Sequence, residues 1–294
     1  MIYNPYAGAK EFPHLIDYTI HTFWKKGYVV HVYRTTSSID FRNLIGREDC
    51  RDYEGVIVAG GDGSVNLAVN AILNNNRDIP LGIIPAGTAN DFARHLGIPM
   101  DLRAAIDSLS NMVVFQVDVG QVNNQFFINV CSGGLLTTIS QNIDLELKNT
   151  LGKMAYYLKG IQELPRFKRM KLRVLSQEVA IEEEFYLYLV LNGSSAGGFS
   201  KLGGSASVID GKLDFVGLKP MNIAQLLVIF PKILLGDHIN DKRVIYFQTK
   251  ALRIERLEGN MLNLHTDVDG EKGPDYPLNI SVLPRRLKII SPTY

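Results

Sequence analysis

Up to about residue 110, short β-branched runs alternate with stretches whose apolar positions recur every three or four residues. "MIYNP" at the start, "YVVHVYRT" from Tyr28, "GVIVA" from Gly55 and "IPLGIIP" from Ile79 read as strands. Between them, "FPHLIDYTIHTFWKKG" stopping at Gly27, "IDFRNLIG", "SVNLAVNAILNNN" and "ANDFARHLGIP", closed by Gly97 and Pro99, read as helices. In the third of these, Val65, Ala68, Val69, Ile72 and Leu73 fall on one stripe, the face that a helix buries. Strands alternating with amphipathic helices predict a parallel sheet covered on both faces, a three-layer α/β unit.

Beyond residue 112 the rhythm changes. "VVFQVDVGQVNNQFFINVCSGG" has the look of two strands joined by "VNNQ", and a helical stretch follows. "KLRVLSQEVAIEEEFYLYLVLNG", "GKLDFVGL", "KRVIYFQTKALRIERLE", "LNLHTDVDG" and "YPLNISVLP" are mostly strands separated by turn residues. The expected organisation is an α/β unit over 1–118, an all-β sandwich over 119–286, and a return of 287–294 to the first unit. "NPYAG" lies so close to Met1 that the first strand reads as clipped, with a few upstream residues missing or unnecessary.

The bulk numbers remove several functions. With 294 residues and a net charge of +1, nothing global attracts nucleic acid. Cys50 and Cys131 make no disulfide framework or metal-finger spacing, which suits a reducing, cytoplasmic compartment. The most apolar stretch, "AQLLVIFPKILLG" at 224–236, is interrupted by Pro231 and Lys232 and is too short to span a bilayer. It reads as a core helix with a proline kink, or as a surface for membrane contact. Charge is locally uneven. Between 148 and 173 eight basic residues face one acid, Glu163, and are interleaved with Met154, Tyr156, Tyr157, Leu158 and Phe167. Such a segment is a solvated helix face or a peripheral site for an anionic membrane.

Candidate chemistry sits in "GGDGSVN", residues 60–66. Glycines at a strand end let a ligand approach the backbone, and the following helix directs its positive end there. A carboxylate among phosphates repels them unless a cation lies between, so Asp62 is the expected partner of Mg²⁺, directly or through water. No G-x-x-x-x-G-K-[ST] loop occurs, and Asn66 stands where a dinucleotide fingerprint would have its last glycine. "PAGTAND" repeats the arrangement at Gly87 and Thr88, beside Asn90, Asp91 and Arg94, and "NPYAG" ends the first strand in a similar turn. Adjacent turns of this kind at the carboxyl ends of parallel strands form a ligand crevice.

"NPYAG", "GGDGSVN" and "PAGTANDFARHLGIP", followed by "YYLKG", "LNGSSAGGF", "ASVIDGKLD" and "DGE", resemble the diacylglycerol kinase catalytic-domain family in order and spacing. The bacterial soluble lipid kinases of that family are the nearest in pattern. The resemblance implies an N-terminal α/β nucleotide domain, a C-terminal β-sandwich and an active site between them. It implies that Asn4, Pro5, Tyr6, Ala7, Gly8, Thr35, the run Gly61, Asp62, Gly63, Ser64, Val65, Asn66 and Leu67, and Thr88 line an ATP site. On its residues alone, Thr35 could equally be a hydroxyl capping the end of its strand. The resemblance further implies a structural Mg²⁺ held by the Asp210 carboxylate and the carbonyls of Ser207 and Lys212. It makes Glu271 the general base, with Asp62 also in the catalytic set and Asp269 the competitor within the same turn. Leu67 departs from the glutamate frequent in the family, and Ser64 replaces the commoner threonine.

The activity implied is transfer of the ATP γ-phosphate to the hydroxyl of diacylglycerol. Arg94, Lys159, Arg166 and Arg169 are the cations expected to face lipid or an anionic membrane. A kinase of the same fold acting on another lipid alcohol, an NAD kinase, and a non-catalytic lipid- or nucleotide-binding module are the alternatives. A homodimer is possible but not readable from the sequence.

Overall fold

The computed structural model describes residues 1–37, 39–46, 52–134, 169–194, 202–204, 206–257 and 266–291. In its N-terminal part, β1 (Ile2–Tyr3), α1 (Ile16–Trp24, entered through a 3-10 turn at Phe12–Leu15) and β2 (Tyr33–Arg34) come first. They are followed by α2 (Ile39–Gly46), β3 (Val56–Gly60), α3 (Asp62–Asn74), β4 (Leu81–Pro85), α4 (Asp91–His95) and α5 (Leu102–Leu109). The strands pair in parallel in the order β2-β1-β3-β4. On one face Ile2, Val58, Leu81 and Ile83 pack with the α3 stripe and with Phe41, Ile45, Phe92 and Leu96. On the other, Ile57, Ala59 and Ile84 pack with Phe12, Phe23, Ile106 and Leu109. These alternate positions send β3 and β4 side chains into two cores, which is why both strands are apolar throughout. Each large side chain so buried contributes roughly 1.5–3 kcal/mol.

The strand expected over "YVVHVYRT" is shorter than its pattern. Only Tyr33 and Arg34 pair, because β1 starts at Ile2 and offers residues 28–32 no neighbour, apart from the Met1 amino group donating to the His31 carbonyl at 2.7 Å.

The remaining strands are β5 (Val114–Val122), β6 (Gln125–Phe127), β7 (Val130–Gly134), β8 (Met170–Ser176), β9 (Ala180–Phe185), β10 (Leu187–Leu191) and β11 (Leu213–Leu218). After α6 (Ile223–Leu235) come β12 (Val244–Thr249), β13 (Ala251–Arg256), β14 (Thr266–Val268), β15 (Glu271–Lys272) and β16 (Leu278–Ile290). One sheet runs β12-β11-β10-β7-β14-β15. The other extends the parallel sheet through β16, β13, β8 and β9, with β5 on the edge of β16 opposite β4 and β13, and β6 beyond β5. Between the two sheets lies a core of Phe127, Cys131, Leu172, Phe185, Tyr188, Phe215, Ile254 and Ile280. "KRVIYFQTKALRIERLE", read as one run, is divided. β12 belongs to one sheet and β13 to the other, and Thr249 Oγ1 turns the chain by donating to the Ala251 carbonyl and accepting from its amide.

β16 joins the two halves. Its first residues pair with β13, its last, Ile289 and Ile290, lie in parallel beside Leu81 and Gly82 of β4, and β5 follows it along nearly its whole length. α6 begins in a capping box between Asn222 and Gln225 and buries Ile229 against Leu189, Leu191 and Val216. Pro231 lies inside it, and Val228 and Leu235 are exposed. No described helix is long and apolar enough to cross a membrane.

Candidate active site

Three turns meet at the carboxyl ends of β1, β3 and β4. The backbones at Gly61 and Gly87 touch, so that a Cβ on Gly87 would overlap the Gly61 Cα. Gly8, with φ +50°, lies against the Ala86 carbonyl in the same way. The Ala86 amide donates to the Gly60 carbonyl at 3.0 Å, and the Asn4 amide to Ala59 at 3.0 Å. Asn4 Oδ1 holds its own turn by accepting from the Tyr6 amide at 2.9 Å, while the Tyr6 ring is exposed beneath the Arg34 guanidinium. In the third turn Asn90 adopts the left-handed conformation, φ +53°. Its amide donates to the Pro85 and Gly87 carbonyls and its Oδ1 accepts from the Gly87 amide.

Asp62 is the first residue of α3 and also faces the start of α4, where Oδ1 accepts from the Phe92 amide at 3.4 Å. Burial, and then the adjacent Asp91 carboxylate, push its pKa up, against backbone hydrogen bonds from Phe92, Asn90 and Asp91. Gly63 has open space where a side chain would stand. Thr88 is exposed at the rim of the third turn, and Pro5 and Ala7 shape the first. Four of the residues expected at a nucleotide point elsewhere. Ser64 is buried under Gly60, Val65 is in the core, and Leu67 packs against that core, which accounts for an apolar residue there. Thr35 Oγ1 donates to the Tyr3 carbonyl at 3.1 Å, so its hydroxyl caps the β1–β2 pair.

Asn66 is bonded to β6 and to the turn after β14. Its Nδ2 donates to the Phe126 carbonyl at 3.2 Å and to Asp269 Oδ2 at 2.7 Å, and its Oδ1 accepts from Asn70. Asp269 Oδ2 also accepts from the Ile128 amide at 2.7 Å, and Oδ1 accepts from the amides of Asn129 and Val130 at 2.9 and 2.8 Å. Burial pushes the Asp269 pKa up to about 6, with the four donors pulling it down. Two residues on, Glu271 is exposed at the start of β15. Asp267, at the same turn, accepts from the Gly270 amide at 2.9 Å and is pushed up by burial and then by Glu271. The turn therefore presents one exposed carboxylate and two that are engaged.

Two family models cover the chain. The diacylglycerol kinase catalytic domain matches residues 1–122, and the YegS C-terminal NAD kinase beta sandwich-like domain matches 130–291. A diacylglycerol kinase of Bacillus subtilis (strain 168) is 36% identical over 293 residues, covering 99% of this chain and 95% of its own. The chain belongs to the diacylglycerol kinase family. A diacylglycerol kinase of Staphylococcus haemolyticus (strain JCSC1435) is 35% identical over 292 residues, 99% of this chain and 87% of that one. A crystal structure of a diacylglycerol kinase from Bacillus anthracis str. Sterne superposes with a TM-score of 0.80 at 28% identity, covering 99% and 95% of the two chains.

The structure adds residues that the pattern of this kinase family's motifs did not single out. Asp118, in the plain strand sequence "VDVG", is fully buried and accepts from the Gly211 amide at 2.6 Å and the Arg285 amide at 2.7 Å. It thereby clamps the "SVIDGKLD" turn, whose Val208 carbonyl accepts from the Asp118 amide. Its only sequence signal is a carboxylate at a strand position flanked by buried Val117 and Val119. Asp210, exposed in that turn, accepts from the Lys212 amide at 3.0 Å, and its pKa is pushed up by desolvation and by Asp118. Asp214 is buried and accepts from Tyr246 and Gln248. His95 of α4 reaches Ser194 after β10, Nδ1 to Oγ 3.2 Å, which ties the third turn to the sandwich.

Among the described residues no three His, Cys, Asp or Glu side chains gather around a point. A cation in the "SVIDGKLD" turn would rest on one carboxylate with backbone carbonyls and water. Both oxygens of Asp118 are taken by the Gly211 and Arg285 amides, which leaves Asp210 as that carboxylate, and one carboxylate with neutral oxygen donors is chemistry that suits magnesium.

Arg94 is exposed on α4, its Nε donating to the Ala89 carbonyl at 3.0 Å. Lys159 and Arg166 lie outside the described residues. Arg169 pairs with Glu184 at 3.5 Å and Arg173 with Glu182 at 2.6 Å across the β8–β9 hairpin. The described end of the basic run thus meets the acids of "AIEEEF".

Proposed function

We propose that the chain is an ATP- and Mg²⁺-dependent lipid kinase that phosphorylates the hydroxyl of diacylglycerol, giving phosphatidic acid, while docked on an anionic membrane. The reading rests on one arrangement. Three glycine turns and the α3 N-terminus form an anion seat, and the exposed Glu271 carboxylate stands beyond Asp269, which is bonded to that helix. The backbone amides at Gly61–Gly63 orient the phosphates of ATP, and the open face of Gly63 lets them come close. Mg²⁺ at Asp62 would neutralise the charge of the transferring phosphoryl group. Glu271 accepts the proton as the lipid oxygen bonds to the γ-phosphorus and the bond to ADP breaks. Asp210, with the carbonyls of Ser207 and Lys212, would hold a second, structural Mg²⁺.

Labelled ATP and Mg²⁺ offered with diacylglycerol in anionic vesicles, with other lipid alcohols, and with NAD test the reading. Label in phosphatidic acid is expected. Label in NADP or in another lipid alone refutes the substrate assignment, and no transfer at all refutes the kinase. Vesicle binding should fall as salt approaches 0.5 M, where screening is complete within about 4–5 Å.

A further inference from the structure

We propose that Asn66 and Asp269 are positioning residues, a latch across the cleft that sets where Glu271 stands relative to the phosphates on α3. The proposal rests on the reading of Glu271 as the base. The two residues are 203 positions apart in sequence, and their bond is short, 2.7 Å. Neither partner can swing. Asp269 takes one backbone amide from each of three successive residues, Ile128, Asn129 and Val130, where the chain crosses into β7. Asp269 itself is in the left-handed conformation, φ +51°, which the turn into Gly270 and Glu271 requires. On the other side, Asn70 fixes Asn66 by donating to its Oδ1 and its carbonyl, and also bonds both the amide and the carbonyl of Phe126. With both hydrogens and the oxygen of its side chain engaged, the Asn66 amide has one usable orientation.

The distances suit this role. Asn66 is four residues into the helix from Asp62, about 6 Å along the axis at 1.5 Å per residue. Asp269 and Gly270 are the two turn residues between β14 and β15, and Glu271 follows them directly as the cross-strand partner of Val268. One side-chain hydrogen bond therefore connects the helix that receives phosphate to the turn that carries the exposed carboxylate. A carboxylate with four donors is occupied as an acceptor, so Asp269 orients and Glu271 is left to take the lipid proton.

The test is a double-variant cycle on the full chain, with diacylglycerol in anionic vesicles and ATP varied up to saturation. Asn66→Ala and Asp269→Asn are each made alone and with Glu271→Gln, and folding is checked by melting temperature. Because a misplacement near 1 Å can cost about 10²-fold, Asn66→Ala should lower kcat at least about tenfold, with KM for ATP within about twofold. In the Glu271→Gln background the same change should cost less than about threefold, since residues acting through one group are not additive. Asp269→Asn puts an NH₂ among amide donors; where that variant does not fold, Asn66→Ala decides. Losses that multiply with Glu271→Gln overturn the latch, as does a raised KM for ATP at unchanged kcat, which would give the Asn66 amide to the nucleotide. Wild-type kcat in Glu271→Gln alone marks the failure of the base reading, and the latch falls with it.

Discussion

Gly63→Ala separates what the fold needs from what a ligand needs. Gly63 is the second residue of α3, its backbone is helical, and among the described residues no atom beyond its own chain neighbours and helix backbone lies within 4 Å of the position its Cβ would take. Nothing among the described residues therefore requires glycine there. Alanine in a helix is favoured over glycine by about 0.5–1 kcal/mol, through lower backbone entropy in the unfolded chain. One kcal/mol moves the melting temperature of a chain this size by about 2 °C, so the variant should melt about 1–2 °C higher. A phosphate seated on the first turn of α3 would meet the new methyl group, and kcat/KM for ATP should fall at least tenfold, on the order expected for displaced reacting groups. Calorimetry of the free protein and initial rates against ATP give the two numbers. A higher melting temperature with unchanged ATP kinetics would refute the placement of phosphate at this turn. A lower melting temperature would refute the open space around Gly63.

Three further outcomes are expected. Gly87→Ala, whose Cβ would fall on the Gly61 backbone, should destabilise by about 1–3 kcal/mol and weaken ATP binding, both read from melting with and without ATP. Asp62→Asn should abolish transfer yet raise the melting temperature at pH 7. The folded state raises the Asp62 pKa, so its ionised form opposes folding, and the gain should shrink as pH falls through that raised value. A variant that melts lower at pH 7 than wild type would contradict this. Asp118→Ala leaves the Gly211 and Arg285 amides without their acceptor, at about 1–3 kcal/mol each, so denaturant midpoints should drop clearly.

The α/β rhythm, the three turns and the sandwich were legible because alternation and glycine placement are local signals. The partners of polar side chains were not. Asn66 reads as part of a phosphate loop because it closes the run "GGDGSVN", yet its decisive contact lies 203 residues away. Asp118 looks like an ordinary strand residue because its acceptors' partners, Gly211 and Arg285, lie 93 and 167 residues downstream. The division of "KRVIYFQTKALRIERLE" between sheets was hidden by an alternation that continues through Thr249 and Lys250, where only a hydroxyl marks the turn. Asp269 reads as a competitor for the base because its four donors, Asn66 and the amides of residues 128–130, lie far from it in sequence.

The last long strand also governs the order in which the protein can be completed on the ribosome. Until β16 emerges, β5 lacks its long partner and the outer edge of β4 is uncovered, although the three glycine turns have already been made. At a synthesis rate of about 5–20 residues per second, that interval is on the order of 10–30 s. During it, a nascent sheet with open backbone amides is available to chaperones and to other chains. A gene fragment ending after β6 would hold that state permanently, so the N-terminal half should be obtainable on its own only if the β16 segment is supplied with it.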